Sequence, residues 1–445
     1  MRLLLTVCYL TSALGAAEWK AGAARSDITP KTALWMSGYA SRNKPSEGVL
    51  QPLHARALVL EDRKGQRVTI VTTDLIGLPR TITDAVGARL EKELDLRRER
   101  VLFNSSHTHT GPMVRGNLGI MYEPKEEIDA PLAEYSRFLT ESLFTVVKVA
   151  LGNLRPAAVQ FGEGKAGFAM NRRERTAAGT IRIGVNPNGP MDHSVPVIRV
   201  SGADGREVAA VFGYACHNTT LTGEHYKISG DFAGVAEQEI EKTRPGTVAM
   251  FVQLCAGDQN PHPRGQEEHV WTHGRSLATE VQRVLGQRMK EVRGTSGAAL
   301  QWRDLPLQPH SRADFEKMLE SKDAVRIRFA KLMIQRYEER RPMRTLAMPI
   351  QAIRLGKDLA IVALGGEPVV EYALQLKTRH PKLQMIVAGY SNDVMGYVPT
   401  RKMLEEGGYE PVFSTIYYGM AAPFAPEVEA MVLETADGAI KRAMQ

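Results

Sequence analysis

Short β-branched runs in this chain alternate with longer amphipathic segments, and several of the runs stop in a cluster of polar residues. That alternation limits the fold more than any other feature, because strands separated by helices build a sheet covered on both faces. The strand-like runs are 68–74, 101–106, 157–162, 195–201, 207–215, 248–254, 346–355, 358–364 and 385–389. Ala203-Asp204-Gly205 and Gly356-Lys357-Asp358 turn two pairs of them into hairpins. Helices are expected over 80–96, 131–153, 231–243, 270–292, 312–340, 369–379 and 426–443, with the charged 312–340 stretch as a surface excursion. The expected fold is α/β: a mostly parallel mixed sheet with helices on both faces, a three-layer αβα arrangement. No linker or repeat interrupts it, so 18–445 reads as a single domain.

Composition excludes several classes. At 445 residues, 43% hydrophobic and 24% charged, the chain can bury a sizeable core. Its formal charge of +7 is spread through runs such as EKELDLRRER, where Glu alternates with Lys and Arg. Such runs are solvated helix faces, so no nucleic-acid partner is expected. Met1-Arg2 followed by LLLTVCYLTSALGAA reads as a cleaved signal peptide over 1–17, which implies a secreted or periplasmic protein. No later segment is apolar enough to span a bilayer, which leaves peripheral membrane contact open. Cys216 and Cys255 remain after cleavage and can pair in an oxidising compartment.

The polar clusters sit where an open α/β sheet binds ligands, beyond the carboxyl ends of strands. They are His107-Thr108-His109, Cys216-His217, Gly257-Asp258-Gln259-Asn260, Gly365-Gly366-Glu367 and Tyr390-Ser391-Asn392-Asp393. In an extended segment residues i and i+2 face the same side, so His107 and His109 can point at one spot. Two histidines and a carboxylate from separate strands make a catalytic zinc set with a position left for water. His107, His217 and Glu367 supply that set, and the metal site is expected at the strand ends. Asp258 is a candidate for proton handling, or else the anchor of its turn.

With those residues placed, the chain resembles the catalytic domain of the neutral ceramidase family, zinc amidases that cleave the N-acyl bond of ceramide. The matching pieces are AGAARSDITP, MSGYA, LHARALVLED, TTDLIG, SSHTHTGP, the NRR of Asn171-Arg172-Arg173, YACHNTT, SGDFAG, CAGDQNP, GGEP, GYSNDVMGYVPT and GGYE. They occur in the family's order from about residue 20 to 420. The resemblance implies one Zn²⁺ held by His107, His217, Glu367 and Tyr397. It also implies that His109 faces the substrate, that Arg172, with Asn171 beside it, binds the substrate, and that Tyr409 stabilises a developing oxyanion.

Two departures from the family pattern stand out. Asn260 occupies the position of a serine sometimes assigned as nucleophile, and an amide side chain cannot attack a carbonyl carbon. No immunoglobulin-like C-terminal domain of the kind that full ceramidases carry is expected after residue 445. The expectation is a zinc-dependent amidohydrolase cleaving an N-acyl amide, ceramide or a related lipid, by metal-activated water, with Asn260 shaping the site. The alternatives are a zinc esterase or amidase for a smaller acyl substrate, and a non-catalytic zinc-containing envelope protein.

Overall fold

The computed structural model describes residues 18–445, so the expected signal segment lies outside the described residues. Five long strands come first: β1 (Trp19–Asp27), β2 (His54–Asp62), β3 (Arg67–Thr73), β4 (Val101–Ser105) and β5 (Arg155–Lys165). Short strands β6 (Ala169–Asn171), β7 (Arg173–Arg175) and β8 (Ile181–Ile183) follow, then β9 (Ser194–Gly202), β10 (Glu207–Tyr214) and β11 (Val248–Gln253). The large sheet has the order β11-β10-β9-β5-β1-β2-β3-β4. Short β12 (Gln259–Pro261) pairs with β6, and β13 (Lys290–Glu291) extends the large sheet from β5. A second sheet, β14-β15-β16-β18, contains β14 (Ser296–Pro306), β15 (Thr345–Leu355), β16 (Leu359–Leu364) and β18 (Gln384–Ala388). Beside it, β17 (Glu367–Pro368) pairs in parallel with β19 (Tyr397–Val398).

Both sheets are mixed, but they are mostly antiparallel, which corrects the expected mostly parallel sheet. Only β3–β4 and β10–β11 run parallel in the first sheet, and only β16–β18 in the second. The expectation failed because β1, β2 and β14 carry enough charge to hide as strands. Arg56 of β2, for example, is buried, and its guanidinium lies 3.0 Å from Asp74 and 2.9 Å from Glu237. Each hidden strand is the antiparallel neighbour of one that was legible.

The layer count is also corrected, from three to four. Leu58 and Leu60 of β2 and Val68 and Ile70 of β3 share one apolar cluster with Ile353 and Leu355 of β15 and Leu359 and Ile361 of β16. The two sheets therefore pack face to face. Ala57 and Val59, on the opposite face of β2, meet α1 (Arg80–Leu94) and α2 (Glu126–Gly152). Further along that outer face lie α3 (Asp231–Thr243) and α4 (Glu267–Leu285). The outer face of the second sheet is covered by α5 (Arg312–Met318), α6 (Ala324–Glu338) and α7 (Val370–Arg379). Short α8 (Arg401–Glu406) and the terminal α9 (Val428–Met444) complete that layer. The result is an αββα sandwich.

The helix expected over 312–340 is two helices. A capping box of Ser311 and Asp314 starts α5, and the Asp323 carboxylate caps α6 by accepting from the Val325 amide at 2.8 Å. Phe315, Phe329 and Met333 are buried against the second sheet, so the segment covers core rather than straying over the surface. Both expected hairpins are present, as β9–β10 and β15–β16. No helix among the described residues is long and apolar enough to cross a membrane.

Three parallel pairs position the site: β3-α1-β4, β10-α3-β11 and β16-α7-β18. Their carboxyl ends converge because residues 388–392 pass between β11 and β4, the two rims of the large sheet. Gly389 donates its amide to Gln253 O at 3.1 Å, Asn392 to Phe103 O at 2.9 Å, and Ser105 donates to Tyr390 O at 3.3 Å. The buried Asn104 side chain completes the seam. It accepts from the Gln253 amide at 2.8 Å and donates to Gly389 O at 2.8 Å and Gln253 O at 3.2 Å.

Candidate active site

Two residues past β4 the backbone of His107 turns into the left-handed region, with φ of 64°. For a residue with a Cβ that conformation costs roughly 1–2 kcal/mol. Strand alternation is therefore not what brings His107 and His109 together; the left-handed turn is. Their rings lie 4.7 Å apart between centroids, with Nε2 3.0 Å from Nε2. Gly38, in the MSGYA motif, makes room for His109. Its φ is 95°, and a Cβ there would sit 2.5 Å from His109 Nδ1.

The orientation of each imidazole follows from what its Nδ1 meets. His107 Nδ1 lies 2.6 Å from Ile76 O, His217 Nδ1 2.7 Å from Ala256 O, and His109 Nδ1 3.2 Å from Gly38 O. A carbonyl only accepts, so Nδ1 carries the proton and Nε2 presents a lone pair. Burial pushes His217 down to about 3 and His109 well below the ordinary histidine value, so both rings are neutral at pH 7. Glu367 Oε2 stands 3.1 Å from the Nε2 of both His107 and His217. That oxygen is buried and has no hydrogen-bond partner among the described residues, while Oε1 accepts from the Tyr418 hydroxyl.

Lone pairs of two imidazoles and a carboxylate thus meet in a site shut off from water. Such a meeting is unfavourable unless a cation joins them. Two neutral imidazoles and a carboxylate are a donor set that suits zinc, so these residues fit a metal ion. His107, His109 and His217 form a buried group whose donor atoms all lie within 4.8 Å of one another. The geometry therefore puts His109 Nε2 beside the donor set that was expected to exclude it.

A second group closes the opposite side. Buried Arg172 donates through Nε to Glu410 at 2.9 Å, through Nη2 to the Tyr397 hydroxyl at 3.0 Å, and through Nη1 to Asn260 Oδ1 at 3.2 Å. The Tyr397 hydroxyl lies 3.1 Å from His217 Nε2, which brings it to the edge of the donor set. Tyr409 is half-buried, its ring 5.5 Å from that of Tyr397 and 5.6 Å from the Arg172 guanidinium. Asn260 Oδ1 also accepts from Thr219 Oγ1 at 3.2 Å. It braces the arginine in the position where a serine was expected.

Asp258 and Asn171 are paired with each other instead of with the imidazoles. Asp258 Oδ2 accepts from Asn171 Nδ2 at 2.9 Å, and Oδ1 accepts from the Val370 amide, the first of α7, at 2.8 Å. Burial pushes the Asp258 carboxyl up to about 6. The other bonds of Asn171 go to Pro190 O at 3.0 Å and from the Arg173 amide at 3.0 Å, so its side chain is fully engaged within the fold. Sequence reasoning missed Tyr418 and gave Glu410 no role. Glu410 closes the matching GGYE piece, which was its only available signal, and Tyr418 had none. Cys216 and Cys255 are buried and unpaired.

Fold and site together define a class: an αββα protein with a buried imidazole–carboxylate cluster where three βαβ units converge. The family model described as neutral/alkaline non-lysosomal ceramidase, N-terminal, matches residues 19–296, and the chain belongs to that family. It is 24% identical over 315 residues to the neutral ceramidase of Pseudomonas aeruginosa, covering 65% of this chain and 46% of that protein. To the neutral ceramidase of Drosophila melanogaster it is 25% identical over 280 residues, covering 59% of this chain and 38% of that protein. The chain thus spans less than half the length of these relatives. The crystal structure of the Pseudomonas aeruginosa neutral ceramidase matches with a TM-score of 0.75 at 20% identity, over 96% of this chain and 74% of that one. That likeness is one of fold. The family match includes His107, His109, Arg172, His217 and Asn260, whereas Glu367, Tyr397 and Tyr409 lie beyond it.

Proposed function

We propose that the chain is an exported zinc-dependent amidohydrolase that cleaves an N-acyl amide bond, in ceramide or a related N-acyl lipid. The observation that carries this reading is the unpartnered Glu367 oxygen 3.1 Å from two outward-facing imidazole nitrogens. The family of the chain and the names of its relatives supply the bond type. His107, His217, Glu367 and Tyr397 would hold the ion. Zinc in such a set polarises a carbonyl and lowers the pKa of a bound water to about 7.

The remaining roles belong to the chain's own groups. Arg172, fixed by Glu410 and Asn260, keeps positive charge beside Tyr397, and Tyr409 donates its hydroxyl to the oxygen that becomes an oxyanion. His109 presents an Nε2 lone pair that can take a proton and return it to the leaving amine. Asp258 holds the start of α7 and Asn171 in register. Asn260 cannot form an acyl ester, so no covalent acyl-enzyme is expected.

The test is metal analysis joined to a hydrolysis panel. Dialysed wild type should retain about one zinc per chain and cleave N-acylsphingosine or simpler N-acyl amines, and the His107→Ala/His217→Ala variant should do neither. Equal, negligible zinc in both proteins overturns the metal assignment. An acyl adduct trapped by mass spectrometry during turnover overturns the absence of a covalent step.

A further inference from the structure

Beside the site, on the far side of Asn260, a pocket of about 240 Å³ opens between the β12 loop and the ribbon of β7 and β8. One wall is apolar: Met170, Ile183, Val185 and Pro261, with Ile183 and Val185 46% and 43% exposed. The other wall carries His262 and two stronger donors, Asn260 and Arg264. Both are donors with bonds left to make. Asn260 receives the Arg172 and Thr219 bonds on Oδ1, which leaves its NH₂ for the pocket. Arg264 donates Nη2 to the Tyr39 hydroxyl at 3.0 Å, which leaves its Nη1 without a partner among the described residues.

Among the described residues no carboxylate pairs with Arg264. Asp231, buried nearby, gives its oxygens to the Leu221 and Phe232 amides instead. Arg172 and Arg173 are committed elsewhere, Arg172 to Glu410 and Arg173 to Glu410 and Glu406. The loop bearing Arg264 is fixed in place, with the His262 amide bonded to Phe168 O and the Gly265 amide to Thr220 O, each at 2.8 Å. Asn260 and Arg264 each touch a residue that borders the imidazole cluster. Arg172 bridges Asn260 to His217, with Nη1 3.2 Å from Nε2, and the Tyr39 ring lies 5.0 Å from that of His109.

A half-buried guanidinium with an idle donor, next to a free amide NH₂, is a site for an acceptor that carries negative charge. Its volume equals about eight waters at about 30 Å³ each, which suits a headgroup and not a long chain. We infer that the amide substrate of this chain bears an anionic group, a carboxylate or a phosphate, bound by Arg264 and Asn260 in this pocket. The inference rests on the amidase reading and narrows it to charged N-acyl compounds, away from neutral ceramide.

The experiment compares zinc-loaded wild type and Arg264→Gln on four substrates with one acyl chain: an N-acylglycine, an N-acylphosphoethanolamine, an N-acylethanolamine and an N-acylsphingosine. One anionic substrate should exceed both neutral ones in kcat/KM by about 10-fold or more, and which one does so separates carboxylate from phosphate. Arg264→Gln should raise KM for that substrate about 10-fold more than for the ethanolamide, and Arg264→Lys should restore part of the difference. Indifference to charge in wild type, or a uniform loss in Arg264→Gln, overturns the inference and leaves the amidase reading intact. If no amide is cleaved, the amidase reading falls and calorimetry decides the pocket alone. Binding of N-acylglycine over N-acylglycinamide that Arg264→Gln abolishes upholds it, and absent or charge-blind binding overturns it.

Discussion

Tyr418 does for Glu367 what the Ile76 and Ala256 carbonyls do for the imidazoles: it fixes which atom faces the centre. Its hydroxyl bonds Oε1 and so turns Oε2 toward His107 and His217. Partners of this kind are worth about 10- to 100-fold in metal affinity. Tyr418→Phe should therefore bind zinc about 10-fold or more weakly in competition with a chromophoric chelator. Unchanged affinity would mean that packing alone orients the carboxylate. At this scale the sequence was readable for the groups that meet at the centre and silent on the groups that aim them. His107, His217 and Glu367 each follow an apolar run, and that position gave them away. The positive φ of His107, the carbonyls under the rings and the Tyr418 hydroxyl come from segments far apart in the chain, so no local pattern contains them.

The three βαβ units explain why the strand-end argument named residues that do lie together, although it assumed the wrong sheet. Carboxyl ends of parallel strands do point one way, and β4, β10, β11, β16 and β18 all belong to parallel pairs. The antiparallel remainder was hidden by Arg, Lys and His in β1 and β2, which the polar pattern placed in loops. At the start of α7 two acids lie close together. Asp258 accepts the Val370 amide, and Glu371 sits beside it with a buried, unpartnered Oε2. Burial, followed by the charge of Asp258, pushes Glu371 up to about 8. The folded protein thus holds this proton more tightly than the unfolded chain does. Stability is lost as pH rises from the ordinary carboxylate range through 8, and a glutamine at 371 escapes that loss. Urea unfolding should find Glu371→Gln more stable than wild type by about 2–4 kcal/mol at pH 9, with little difference at pH 4. An equal difference at both pH values would show that Glu371 ionises freely in the fold.

Across the whole molecule the joint that matters is the seam of Asn104 and residues 388–392, where the second sheet enters the gap between the rims of the first. Asn104→Ala strips the partner from the Gln253 amide and takes one of two donors from the Gln253 and Gly389 carbonyls in a dry interior, at a cost of about 2–4 kcal/mol. Equilibrium unfolding should register that loss, and a cost below about 1 kcal/mol would mean the backbone bonds hold the seam unaided. Nothing in the sequence announced it, because Asn104 reads as one polar residue at the end of an apolar run. The seam also sets an order in time. Residue 390 must find residue 105 across most of the chain, and contacts of such long sequence separation are slow to form. A growing chain that has made its first three hundred residues already owns His107 and His217, yet it has neither the Glu367 carboxylate nor the segment that draws the rims together. On the proposed zinc reading, ion capture therefore comes at the end of folding, and a tightly held metal certifies a finished molecule.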